Sequence, residues 1–176
     1  MVWEITPDEL WFRYADGERD FPGIKLLQSE RASGQMIDLQ GFDLRGINLR
    51  RADLKYAGLT GVDLTGADLT GSVLIEACLE RAIVRDASLY SANLHWCNLV
   101  QANLGGANLN HVNATSATFF RANIGAFEYA ILANANFRDA TIGNSTLCRG
   151  GNLIWDTTMS DGTIVVGSQF GDGEGR

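Results

Sequence analysis

From Val62 to Leu79 the chain reads VDLTGADLTGSVLIEACL, with leucine recurring at every fifth position. An α-helix advances about 100° per residue, so a five-residue period scatters the leucines over every face of its axis. A strand alternates faces at each residue, and an odd period sends successive leucines to opposite sides. The pattern therefore requires a chain that bends once per repeat, with two inward positions separated by one outward residue and followed by a corner.

The second inward position lies two residues before each leucine. Read in fives from Ile37, 18 repeats run to Ala126. Phe127, Glu128 and Tyr129 interrupt them, and four more run from Ala130 to Arg149, giving 22. The central residue is large and apolar in every repeat except at Ala114, and the candidate core includes Leu44, Leu54, Leu64, Leu74, Leu94, Leu104, Phe119 and Phe137. The earlier inward position is mostly alanine. Large and small residues in alternation fill a narrow tube without voids.

Repeats such as ADLTG, ANLHW and ANLGG resemble the A(D/N)LXX motif of the pentapeptide-repeat family, in strict register over about two-thirds of the chain. The resemblance implies an all-β solenoid, a right-handed quadrilateral β-helix with four repeats per coil. Coils stacked at the sheet spacing of about 4.8 Å would make a rod on the order of 26 Å long. The flanks YADGERDFPG and TTMSDGTI resemble segments that bracket the repeats in cyanobacterial members.

Open ends of such a rod expose apolar core and unpaired backbone and need caps. The sequence predicts one domain over 1–176, with a short N-terminal helical cap at 1–18. There Thr6 is the N-cap, Pro7 opens the first turn, Glu9 completes a capping box, and Gly17 ends the helix. Leu10, Trp11 and Tyr14 give it an apolar face for the first coil; a partner-binding helix is the alternative. A partial first coil and a loop follow at 19–36, then the repeats at 37–149. Two β-like runs around Asp161-Gly162 predict a C-terminal β-hairpin cap at 150–170, and 171–176 reads as a disordered tail. The interruption at 127–129 extrudes a small loop or shifts the corner, and its two aromatics pack over the seam, with partner binding the alternative.

Composition narrows the function. No run approaches 18 apolar residues, and MVWEITPDEL lacks a basic region followed by an apolar core. The expectation is a cytoplasmic protein without membrane association. Three cysteines with no CxxC pair argue against a disulfide framework or zinc site; Cys97 falls inward, Cys78 and Cys148 outward. The two histidines, His95 and His111, fall on different sides. An interior of leucine and alanine leaves no cavity in which titratable groups could converge. No catalytic, cofactor-binding or metal site is expected, and no small-molecule substrate. The glycines of TGADLTGS recur at corners, where tight turns account for them, and outward Ser, Asp and Thr are explained by solvation.

The repeat lattice suggests surfaces. Residues twenty apart stack, and one face carries Lys55 and Tyr56, then Ile75 and Glu76, then His95 and Trp96, so that Tyr56, Ile75 and Trp96 read as an exposed apolar column. Val100 and Phe120 fall on the neighbouring face with Arg121. Aromatics clustered with arginine favour protein interfaces, although they also serve simply to cover the coil. Arg45, Arg50, Arg51 and Lys55 lie on successive sides, diluted by Asp43 and Asp53, which gives weak support to nucleic-acid binding.

Family members of the quinolone-resistance type are DNA mimics that occupy the surface of DNA gyrase, and mimicry needs an acidic shaft. Here residues 37–149 carry ten acidic and nine basic side chains, so most of the net charge of −7 belongs to the ends. No C-terminal helix of the kind through which those mimics dimerise is seen, and a monomer is expected. The leading expectation is a non-enzymatic scaffold or protein-interaction module with an unidentified protein partner; the alternative is a DNA-mimic inhibitor of gyrase.

Overall fold

The computed structural model describes residues 3–27, 37–142, 144–148, 150–166 and 169–170. Through the repeats, second-position residues bridge in parallel to residues twenty further on: Asp43 to Asp63, Asp63 to Ile83, Ile83 to Asn103. Turns recur every fifth residue, so one coil has four sides. Only one or two residues per side enter the ladder, and the strands are correspondingly short. In chain order the elements are β1 (Glu4–Ile5), α1 (Pro7–Ala15), β2 (Lys25–Leu26), β3 (Asn103–Leu104), β4 (Asn123–Ile124), α2 (Asn144–Leu147), β5 (Leu153–Ile154), β6 (Thr157–Thr158), β7 (Ile164–Val165) and β8 (Gln169–Phe170).

The leucine column forms one continuous core. Leu44, Leu54, Leu64, Leu74, Leu94, Leu104, Phe119 and Phe137 are each at most 1% exposed. Burying one such side chain stabilises by about 1.5–3 kcal/mol. Phe119 and Phe137 stack at 4.7 Å between centroids, and Phe127 meets both edge-on at 5.7 Å. These rings stand in and next to the coil whose central residue is the small Ala114, so volume lost at one side is regained at others.

The outward residue between the two inward ones also has a structural task. Its side-chain oxygen accepts the backbone N–H two residues on, as Asp63 does from Thr65 at 2.9 Å and Asn93 from His95 at 3.1 Å. Such Asx turns steer the chain into each corner. Solvation alone, the reading from sequence for outward Asp, therefore does not account for these residues, and Asn serves the same turn. The corner residue itself is left-handed even where it is bulky: φ is 60° at Tyr56, 55° at Glu76 and 56° at Trp96.

The interruption at 127–129 is a shortened side rather than an inserted loop. Asn113 bridges to Ile131, 18 residues on, and His111 donates its N–H to the Glu128 carbonyl as a corner residue normally does to the coil above. Phe127 enters the tube at 1% exposure, and Tyr129 takes the corner. The next coil restores the balance: Ile131 bridges to Leu153, 22 residues on, and the same side now runs through the helical turn α2. The last of the 22 repeats, at 145–149, is thus partly helical and not a regular side.

The register continues beyond Arg149, where the sequence reading ended it. Asn152, Ile154, Thr157 and Met159 point inward, each at most 2% exposed. Two buried polar residues hid this from a search for apolar periodicity. Both are satisfied. The Asn152 amide donates to the Phe127 and Leu147 carbonyls and accepts from the Ala130 N–H, while Thr157 Oγ1 donates to the Leu132 carbonyl at 2.7 Å. The hairpin of β6 and β7 turns at Gly162 and starts at the end of this extra side; β5 pairs antiparallel with β8.

At the other end Asp20 and Lys25 bridge to Asn48 and Asp53, forming two sides of a first coil, and β1 pairs in parallel with β2 beneath them. The sequence reading missed β1. In α1, Thr6 Oγ1 accepts the Glu9 N–H, and Gly17 and Glu18 donate back to Tyr14 and Arg13 in a Schellman closure. Leu10 and Tyr14 are buried, the Tyr14 hydroxyl donates to the Arg45 carbonyl at 2.9 Å, and Trp11 lies half-open against Phe42. The loop at 29–36 and the tail at 171–176 lie outside the described residues.

Candidate interaction surface

One side of the rod is built from the fourth repeat of each coil. Its ladder runs Lys25, Asp53, Val73, Asn93, Asn113, Ile131, Leu153. That register fixes two outer columns. At the corner stand Tyr56, Glu76 and Trp96; one residue inward stand Lys55, Ile75 and His95. The single column of Tyr56, Ile75 and Trp96 read from the sequence is therefore split. Ile75 is one position short of the corner and half-buried, whereas Tyr56 and Trp96 are 52% and 59% exposed. His95 lies against Trp96, with ring centroids 5.6 Å apart.

The continued register adds two residues that the sequence reading missed. Trp155, 51% exposed, stands further up the column of Ile75 and His95, and Ile131 is exposed in the ladder column beside it. A search allowing polar inward residues after Gly151 would have found Trp155.

Val100 and Phe120 stack on the next side round, which meets the first at the Tyr56–Trp96 corner. Both are half-buried. The Arg121 guanidinium sits 4.8 Å over the Phe120 ring and 3.7 Å from the Asp139 carboxylate. A further aromatic ladder, unremarked in the sequence, links Tyr90, His111 and Tyr129 with centroids 5.1 and 5.3 Å apart.

Arg45 makes a two-pronged contact to Asp43 at 2.6 and 2.8 Å, Arg50 pairs with Asp68 at 3.0 Å, and Lys55 with Asp53 at 3.5 Å. The basic side chains of the early coils are thus largely engaged with the shaft's own carboxylates. The hydrogen bond from Arg45 holds the Asp43 carboxyl below its ordinary range.

The sequence matches the family model for pentapeptide repeats in overlapping segments that span residues 37–124, half of the chain. The chain belongs to the pentapeptide-repeat family.

This pentapeptide-repeat chain is similar to several solved structures. A pentapeptide repeat protein from the Arabidopsis thaliana thylakoid lumen is 26% identical, over 72% of this chain and 83% of that one, with a TM-score of 0.38. HetL, involved in heterocyst differentiation regulation in the cyanobacterium Nostoc, is 22% identical over 92% and 100%, at 0.20. QnrB1, a plasmid-mediated fluoroquinolone resistance protein, is 17% identical over 80% and 68%, at 0.38. No curated protein matches the sequence.

Among the described residues of the pentapeptide-repeat rod, no group of three His, Cys, Asp or Glu is placed to hold a metal ion, and no helix is long and apolar enough to cross a membrane. Cys97 is buried, with its thiol donating to the Ala77 carbonyl at 3.3 Å, and burial pushes its pKa far up. Cys78 and Cys148 are half-buried, and all three are free.

Proposed function

We propose that this pentapeptide-repeat chain is a non-enzymatic scaffold that presents a side-chain face to a protein partner. In this reading it is a cytoplasmic monomer, its shaft a right-handed quadrilateral β-helix closed by α1 below and the β6–β7 hairpin above. The observation that carries the reading is the exposure of Tyr56, Trp96 and Trp155 on one side of the rod. Aromatic rings held by a rigid ladder lose little conformational freedom on binding, which favours affinity. Val100, Phe120 and Arg121, round the same corner, extend the contact.

Gyrase mimicry requires a run of uncompensated negative charge. The pairing of Asp43 and Asp68 with arginines opposes it. The test is capture of partners from a cell lysate by the whole chain and by Trp96→Ala and Tyr56→Ala variants. A partner lost with both variants supports this face; recovery of every partner by both variants removes it.

A further inference from the structure

The corner column Tyr56, Glu76, Trp96 has a composition that its role in the fold does not require. A bulky residue in the left-handed region is disfavoured by about 1–2 kcal/mol. Both rings nevertheless project into solvent, where they add little to the core. Between them stands Glu76, also exposed, and no described residue forms an ion pair with it. The nearest cation in the adjoining column, Lys55, is paired with Asp53.

Spacing identifies what fits. Successive residues of a column are separated by the ladder spacing of about 4.8 Å, so a group held at the level of Glu76 lies about that far from the levels of Tyr56 and Trp96 alike. The protein's own arginines stand over aromatic rings at 3.7 to 5.4 Å, a range that brackets this distance: 3.7 Å for Arg19 over Tyr14, 4.6 Å for Arg13 over Trp3, 4.8 Å for Arg121 over Phe120 and 5.4 Å for Arg13 over Phe21. A guanidinium is planar, stacks on ring faces from either side, and offers paired N–H donors in its plane that match a carboxylate. An ammonium supplies the charge without the plane.

We infer that Tyr56, Glu76 and Trp96 form a slot for an arginine side chain presented by the partner, with the guanidinium between the two rings and hydrogen-bonded to Glu76. The inference rests on the scaffold reading of this face and names the chemistry it recognises.

The probe is acetyl-Gly-Arg-Gly-amide, titrated into the whole chain while the indole N–H resonances of Trp96 and Trp155 are followed by NMR. The citrulline peptide, equal in shape but uncharged, and the lysine peptide serve as comparisons. The Trp96 resonance is expected to move saturably with the arginine peptide, roughly two- to fivefold more weakly with lysine, and not with citrulline. Glu76→Gln, an exposed change that leaves the rest of the spectrum in place, is expected to abolish the response. Equal shifts with citrulline, shifts at Trp155 alone, or a response unchanged by Glu76→Gln would overturn the slot. The two readings fail separately. A partner lost on Trp96→Ala without any arginine response removes the slot and keeps the face; an arginine response with no Trp96-dependent partner does the reverse.

Discussion

Gly150 lies so close to the coil below that a Cβ placed on it would stand 2.9 Å from the carbonyl oxygen of Phe127. Its neighbour Gly151 lies against the ring of Tyr129, 2.7 Å from a built Cβ, and both glycines have φ near 70°. This is where the lengthened side of one coil crosses the shortened side of the other. The obstacle differs: a backbone carbonyl fixed by the buried Asn152 amide yields little, whereas a ring that is 62% exposed can swing away. Gly151→Ala is expected to cost the left-handed penalty of about 1–2 kcal/mol. Gly150→Ala is expected to cost clearly more. Urea unfolding of the two variants measures this, and equal losses would show that the crossing is not a tight contact.

Ser72 occupies an inward position normally held by alanine, fully buried, and among the described residues its hydroxyl has no hydrogen-bond partner. Ser72→Ala is expected to stabilise the rod by about 1 kcal/mol, because an unsatisfied buried polar group is removed without changing the packing much. Asn152→Ala, which would leave the Ala130 N–H and the Phe127 and Leu147 carbonyls without this side chain, is expected to destabilise by roughly 2–3 kcal/mol. A shift of both unfolding midpoints in the same direction contradicts this account.

Leu104 and Asn103 are adjacent but face opposite ways. Leu104→Asp would bury a carboxylate in the tube and is expected to abolish folding, a loss above about 4 kcal/mol. Asn103→Asp keeps the oxygen that accepts from the Gly105 N–H and is expected to change stability by less than about 0.5 kcal/mol. Thermal melts followed by circular dichroism distinguish them.

The hydrogen bond from Arg45 depresses the folded pKa of Asp43. At Asp68 burial pushes upward, but hydrogen bonds from Thr70 and Arg50 outweigh it and the net shift is also down. A depressed folded pKa gives stability that is present above the unfolded value of about 3.9 and is lost as pH falls through the folded value. Asp43→Asn retains an oxygen for the Arg45 N–H while removing the charge. Its stability deficit relative to wild type is expected at pH 7 and to shrink by about pH 3. An undiminished deficit at the lower pH would show that geometry, not charge, was lost.

A gyrase supercoiling assay with the purified chain is expected to show no inhibition at low micromolar protein, because the shaft's carboxylates already face arginines. Inhibition would restore DNA mimicry and direct attention to the acidic ends.

The regular shaft was legible because its inward positions are chemically uniform. From Leu39 to Phe119 every central residue is buried at 1% or less, as a period of five with alternating size requires. The irregular coils were not legible. Phe127 does the work of a central residue without its two predecessors, and Asn152 and Thr157 fill the tube with polar groups that only long-range partners make acceptable. A register search keyed to apolar residues stops at such places. It stopped before Trp155, which stands exposed further up the column of Ile75 and His95.

By itself the sequence determined that the chain bends every five residues, which side chains face inward, and that the negative charge lies mainly at the ends. These properties repeat locally, and hydrophobic burial acts on each repeat in the same way. The period of twenty already aligns Tyr56, Glu76 and Trp96, and likewise Lys55, Ile75 and His95; only the tertiary structure decided their exposure, leaving Ile75 half-buried beside the open rings of Tyr56 and Trp96. The tertiary structure likewise decided that a coil of 18 residues is compensated by one of 22. That compensation depends on hydrogen bonds such as Tyr129 to Gly150, between residues whose identities give no local sign of the pairing.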